Sequence, residues 1–211
     1  MKKLILALDM LDLNEATSLT RKLSDLVDLV KINYPLVLSS GTKAIGELAK
    51  IKPVIADFKI ADVPHISSRI ADLGFKFGAS SVIVHGFVGA DVLRSVLEVA
   101  RKYGGKTYVV TELSHPGGRE FMEFFSERIA ENARELGCDG IIAPATRVSR
   151  LKLLRRIVED MEIFCPGVGV QGGKISEVAK YCDGIIVGRS IYLSEDPRKE
   201  AISMRRALDE F

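Results

Sequence analysis

The sequence predicts an α/β protein, a single-domain (β/α)8 barrel of the TIM type spanning residues 1–211. Two patterns carry that prediction. Eight short apolar runs recur along the chain, each followed by a stretch whose apolar residues return at helical spacing and by a punctuating Gly, Pro, Asp or Ser. Runs such as Ile141-Ile142-Ala143 and Gly184-Ile185-Ile186-Val187 are apolar throughout, as parallel strands covered by helices on both faces require. Eight such units close naturally into a barrel. The alternative, an open doubly wound sheet, is disfavoured because no Gly-x-Gly-x-x-Gly turn follows the first strand.

Taken in order, Leu4 to Leu8 is the first strand, ended by Asp9 and followed by the amphipathic segment Leu13 to Leu26. Leu29 to Ile32 is the second and carries Lys31 near its end. Val54 to Phe58 is the third, with Asp57 and Lys59 at its end, and leads to the segment Ile66 to Phe77. Ser81 to His85 is the fourth, followed by Ala90 to Tyr103. Thr107 to Thr111, the fifth, precedes Glu112, Ser114 and the segment Glu120 to Leu136. Gly140 to Ala143 and Ser149 to Val158 form the sixth unit. Ile163 to Cys165 opens onto Pro166 to Gln171, and Gly184 to Val187 ends at Gly188 and Arg189. Polar residues at strand ends gather at the C-terminal mouth of a barrel, where enzymes of this fold place their chemistry.

Composition excludes several classes. Thirty basic residues against twenty-eight acidic ones leave a net charge of +2, with both signs interspersed, which argues against a nucleic-acid or membrane surface. The apolar start resembles a secretory leader, but Asp9 and Asp12 interrupt it and no small-residue cleavage site follows. No apolar run reaches the roughly 18 to 20 residues that span a bilayer. Cys138, Cys165 and Cys182 are odd in number and form no ligand pair, so a reduced, cytoplasmic setting is expected. The histidines His65, His85 and His115 are too dispersed for a metal triad, and the expectation is no metal and no cofactor.

Asp57 and Lys59 are two apart on a strand, so both should face one ligand while Phe58 points to the opposite layer. An isolated Asp-x-Lys pair is often only a structural ion pair. Here Lys31 adds a second cation and Asp62 a second carboxylate, and apolar strands would desolvate the array. The run Pro166-Gly167-Val168-Gly169-Val170-Gln171-Gly172-Gly173 offers backbone N–H groups to an anion, and Gly188-Arg189 adds a guanidinium at the next strand end. Barrels often bind phosphate there. His85 reads as a hydrogen-bonded residue of the mouth, and Phe121, Phe124 and Phe125 read as packing on a helix face.

The segments Asp57-Phe58-Lys59-Ile60-Ala61-Asp62-Val63-Pro64, Thr111-Glu112-Leu113-Ser114-His115-Pro116-Gly117, Pro166 to Gly173 and Ile186-Val187-Gly188-Arg189-Ser190-Ile191-Tyr192 resemble the orotidine 5'-monophosphate decarboxylase family, particularly its short archaeal type. With Val30-Lys31-Ile32 and Asp9, the matches run almost end to end. The resemblance implies loss of CO2 from C6 of orotidine 5'-monophosphate to give UMP, with Lys59 as proton donor and Asp57 against the departing carboxylate. It implies that Lys31 and Asp62 complete an alternating charge array, and that Asp62 reaches into the neighbouring subunit of a homodimer. It implies Asp9, Lys31 and Asp62 at the ribose, Ser114 at the pyrimidine, Gln171 and Arg189 at the phosphate, and Val168 in the closing loop. Val63, Ile66, Pro166 and Gly188 complete the implied substrate-binding set.

Two positions depart from the family pattern. His65 and Ile66 follow Pro64 where the family usually has Thr two residues past the proline, leaving Ser67 as the nearest hydroxyl, and Asn33 stands where Gly is common. Two other functions share parts of the pattern. One is a Mg2+-dependent hexulose-phosphate synthase or ketogulonate-phosphate decarboxylase, with the same Asp-x-Lys-x-x-Asp core and Glu112 drafted as a metal ligand. The other is a non-catalytic barrel that binds a phosphorylated ligand. Gln171 and the Val63-Pro64 pair favour the nucleotide enzyme.

Overall fold

The computed structural model describes residues 1–211. Its strands are β1 (Lys3–Leu8), β2 (Leu29–Ile32), β3 (Val54–Ile60), β4 (Ser81–His85), β5 (Lys106–Val110), β6 (Gly140–Ile142), β7 (Glu162–Pro166) and β8 (Gly184–Val187). All pair in parallel and in chain order, and β8 returns to β1, so the sheet closes as the sequence predicts. Closure leaves no strand edge unpaired.

Side-chain alternation along the strands separates two apolar cores. Ile5, Ala7, Ile55, Ile83, Tyr108, Val110, Ile142, Phe164 and Ile186 fill the barrel interior. A larger core of 50 buried residues lies between strands and helices, so most of the hydrophobic driving force goes into attaching the helices to the barrel. The helix Ala90–Tyr103 buries Val92, Leu93, Val96, Leu97, Val99 and Ala100 in that layer. It stops at Gly104, whose left-handed φ of 61° an L side chain adopts only at a cost.

Five helices form where the sequence predicts amphipathic segments, with ends shifted by a few residues: Leu13–Lys22, Pro64–Lys76, Ala90–Tyr103, Met122–Glu135 and Val148–Val158. Five more were not foreseen: Tyr34–Ser40, Lys43–Ala49, Ile175–Val178, Arg189–Tyr192 and Pro197–Asp209. Four of them are too short to show helical periodicity. The fifth carried a readable start signal, because Asp196 caps the backbone N–H groups of Arg198 and Lys199 ahead of Pro197. Phe121, Phe124 and Phe125 correct the expectation of packing. They are 72%, 80% and 64% exposed, because the helix Met122–Glu135 buries Ser126, Ile129, Ala130 and Ala133 instead.

The end of the barrel opposite the mouth is closed by Glu162. Its carboxylate accepts hydrogen bonds from Lys3 Nζ at 2.5 Å, Tyr108 Oη at 2.5 Å and Lys106 Nζ at 2.9 Å. Burial alone would raise this carboxyl group, but the three donors outweigh it and hold it down to about 2. A depressed folded-state value means that the stabilisation is present above the unfolded carboxyl value, about 4.3, and disappears as pH falls towards 2. Glu162→Gln is therefore expected to lower unfolding free energy at pH 7 by about 2 kcal/mol. The gap from the parent protein should shrink steadily below about pH 4. Urea unfolding across that pH range checks both statements.

Candidate active site

The C-terminal strand ends enclose a cavity of about 220 Å³ lined by residues of all eight units of the barrel, with the β4 and β6 units contributing only strand residues. Ten of the thirteen predicted site residues reach it: Asp9, Lys31, Asp57, Lys59, Ser114, Pro166, Val168, Gln171, Gly188 and Arg189. Asp62, Val63 and Ile66 do not. They lie at the start of the helix Pro64–Lys76, where the exposed Asp62 carboxylate accepts from Val63 N at 2.7 Å.

Asp57 is the centre of the charged wall. Buried at the end of β3, it accepts from Lys31 Nζ at 2.8 Å and from Lys59 Nζ at 2.8 and 3.0 Å. Burial pushes its carboxyl upward, and the two ammonium groups more than reverse this, so it stays below the ordinary carboxylate range. Lys31 is equally buried, which disfavours its charge, yet Asp57 and then Asp9, 3.5 Å away, raise it above its usual value. Both partners therefore remain ionised. Lys59 is the more open cation, with a third of its side chain exposed to the cavity mouth.

Lys59 reaches this wall by a route that strand alternation did not predict. The ladder from β3 to β4 pairs Ala56 with Val82 and then Ile60 with Val84, so four steps on β3 oppose two on β4. Within this bulge Lys59 takes φ +40°, a left-handed conformation that costs an L residue about 1–2 kcal/mol. Phe58 does point to the opposite layer, as expected, and joins the core between barrel and helices.

Facing the charges, Ile83, Val110, Ile142 and Ile186 project from β4, β5, β6 and β8 into the floor of the cavity. In the sequence each of these looks like any other buried aliphatic of a strand, so nothing local marks it as part of a site. Asn33, which stands where the family commonly has Gly, is part of the site. It lines the cavity and caps the helix Tyr34–Ser40 by accepting from Tyr34 N at 2.7 Å.

The glycine-rich loop differs from expectation. The N–H groups of Gly169, Gly172 and Gly173 bond to carbonyls within the loop, and that of Val170 bonds to Ser190 Oγ at 3.1 Å. They hold the loop's own shape, with Gly167, Gly169 and Gly172 at φ +99°, +79° and +92°. The exposed side chains of Gln171 and Arg189 line the cavity beside it. Both also border an adjoining groove that holds Arg119, Arg147 and His115.

Three further expectations meet the geometry. Ser67 is buried and donates to the Asp62 carbonyl at 2.8 Å, so it does not stand in for the missing threonine. His85 is not the hydrogen-bonded residue expected. Its Nδ1 is buried without a partner and its ring lies 4.7 Å from that of Phe87. Burial, followed by the Lys59 charge, lowers it to about 4, which makes it a neutral imidazole at pH 7. Glu112 is fully buried and engaged by Arg147 Nε at 3.2 Å and Arg150 Nε at 3.1 Å. Its charge is already matched by two guanidinium groups, which leaves it poorly suited to the metal-ligand role.

A closed parallel barrel with a polar mouth places the chain among the (β/α)8-barrel proteins that bind ligands at their strand C-termini. Within that class it belongs to the orotidine 5'-phosphate decarboxylase / HUMPS family, whose model matches residues 2–204. A Methanosarcina mazei protein named orotidine 5'-phosphate decarboxylase is 48% identical over 200 residues, covering 94% of this chain and 91% of the relative. The Methanocaldococcus jannaschii protein of that name is 44% identical over 214 residues, covering 99% of this chain and all of the relative. The crystal structure of the M. jannaschii enzyme complexed with the inhibitor BMP has a TM-score of 0.95, with 99% of each chain covered. That of the Pyrococcus horikoshii enzyme has a TM-score of 0.90 at 37% identity, covering 98% of this chain and 99% of the other.

Removing the central carboxylate tests the electrostatic account. Asp57→Ala leaves the buried Lys31 ammonium facing Lys59 without its main counter-charge. The expected loss is about 3 kcal/mol of unfolding free energy at pH 7, read from urea denaturation.

Proposed function

We propose that this protein decarboxylates orotidine 5'-monophosphate to UMP and CO2, acting as one barrel domain without a metal or organic cofactor. The observation that carries the proposal is the Lys59 ammonium, held against a buried, ionised Asp57 at the edge of a cavity with an aliphatic floor. Breaking the bond between C6 and the carboxylate leaves an electron pair in an sp2 orbital that the ring's π system cannot delocalise. A fixed ammonium at that point stabilises the developing charge electrostatically and then gives C6 its proton. The resulting amine recovers a proton from solvent. Asp57 keeps Lys59 in place and sits against the departing carboxylate, and the floor of Ile83, Val110, Ile142 and Ile186 receives a neutral product more readily than an ion.

Substrate contacts follow from the same arrangement. Gln171 and Arg189 hold the phosphate, far from C6, so that its binding energy draws the Val168 loop over the base and excludes water. Ser114 meets the pyrimidine, Asp9 and Lys31 the ribose hydroxyls, and Pro166 and Gly188 the surrounding wall. Asp62, Val63 and Ile66 serve the site of a second copy in a homodimer. Val63, next to Asp62, stands exposed after β3, as do Phe87 after β4 and Phe121 after β5, and a second copy would cover them. The engagement of Glu112 by two arginines favours this reading over the Mg2+-dependent alternatives. No helix is long and apolar enough to cross a membrane. The three free, buried cysteines suit the reducing cytoplasm.

Orotidine 5'-monophosphate, followed by ultraviolet absorbance in excess chelator, should be consumed at an undiminished rate. Turnover that requires added Mg2+, or binding without turnover, would favour one of the other readings. Lys59→Ala should lower kcat by more than about a thousand-fold while the protein stays folded. Subunit sharing has its own signature. Mixing inactive Asp62→Ala and Lys59→Ala proteins should restore about a quarter of parental activity, because half of the dimers are hybrids and each hybrid holds one intact site. Mixtures that stay inactive after verified subunit exchange would sink the shared site.

A further inference from the structure

Tyr34 lies outside the cavity lining, yet it holds the segment that aims Lys59. Its hydroxyl donates to the Phe58 carbonyl oxygen at 2.5 Å, and its ring stacks on the Phe58 ring with centroids 5.8 Å apart. The Phe58 carbonyl belongs to the peptide unit that joins Phe58 to Lys59. The orientation of that plane is the reference from which the φ of Lys59 is measured, and this φ is the left-handed +40°. The plane also falls inside the bulge, where the ladder to β4 jumps from Ala56 to Ile60. A side chain from the other flank of β3 thus supplies a hydrogen bond at the point where regular strand pairing lapses.

Tyr34 is itself fixed. It opens the helix Tyr34–Ser40, its backbone N–H donates to the Asn33 cap at 2.7 Å, and Pro35 follows at a position that suits a first turn. Burial and the nearby Asp57 charge both push its phenol above the usual value, so it remains a donor throughout the working pH range.

We infer that Tyr34 is a positioning residue for Lys59: its hydroxyl locks the Phe58–Lys59 peptide in the orientation that brings the Lys59 ammonium onto Asp57 and the reacting carbon. Without that bond the bulge relaxes towards ordinary strand geometry, and the ammonium loses its aim. The inference rests on Lys59 being the proton donor, as proposed above.

Tyr34→Phe removes the hydroxyl and keeps the ring. The expected result is a fall in kcat of about tenfold or more, because small displacements of a catalytic group are costly. UMP affinity should stay within about twofold and Tm within a few degrees, since phosphate and ribose contacts and the core are untouched. Phe58→Leu, which removes the stacked ring and keeps the hydroxyl–carbonyl bond, should retain kcat within about threefold. An unchanged kcat in Tyr34→Phe overturns the inference. So does a loss matched by an equal loss of UMP affinity, or an equal loss in Phe58→Leu, since either would mean general packing. The Lys59→Ala protein is assayed alongside: if it is active the reading of the site fails, and if it is inactive beside a fully active Tyr34→Phe only the role of Tyr34 fails.

Discussion

The Asp57 carboxylate, withdrawn from water between Lys31 and Lys59, is the interaction on which the rest of the site depends. A single buried ion of either sign would be driven to its neutral form by desolvation. Asp57 and Lys31 at hydrogen-bonding distance hold each other charged, with Lys59 as a second cation on Asp57 and Asp9 adding a weaker share from the rim. The barrel makes this possible by supplying rigid neighbours. Lys31 and Asp57 come from adjacent strands in register, Lys31 against Ile55 and Ile32 against Ala56, so their separation is fixed by backbone hydrogen bonds and needs no flexible loop.

The same closed sheet keeps two polar clusters apart. Glu162 with Lys3, Tyr108 and Lys106 seals one end, and the Asp57 array occupies the other. Ile5, Ile55 and the mutually tilted Tyr108 and Phe164 rings lie in the interior core with the aliphatic floor of the mouth. Charged groups on β2 and β3, the Gln171 and Arg189 side chains after β7 and β8, and Ser114 after β5 are thereby spaced around one rim.

Much of this was legible in the sequence because it depends on local pattern. The eight strands follow from buried apolar runs, and Asp9, Lys31, Asp57, Ser114, Gln171 and Arg189 follow from being polar where such runs end. What escaped depends on contacts between distant segments. Alternation places Lys59 beside Asp57, but the bulge and the left-handed backbone that bring it there arise from the mismatch with β4. The glycine-rich loop advertises backbone donors, yet Gly173 returns to Gly167 and consumes several of them. Glu112 could not be seen as spent until the fold brought Arg147 and Arg150 to it. Phe121, Phe124 and Phe125 have helical spacing but face outward, since the sequence does not say which side of that helix the barrel takes.

The conformation of residue 59 also sets folding and chemistry against each other. At φ +40° glycine is the residue that the backbone alone would prefer, and it would relieve about 1–2 kcal/mol of conformational cost. The same substitution would remove the ammonium and leave Asp57 with Lys31 as its main counter-charge. Position 59 is a place where easing the backbone and keeping the proposed proton donor are opposed aims, and any stabilised version of this barrel has to gain its margin elsewhere.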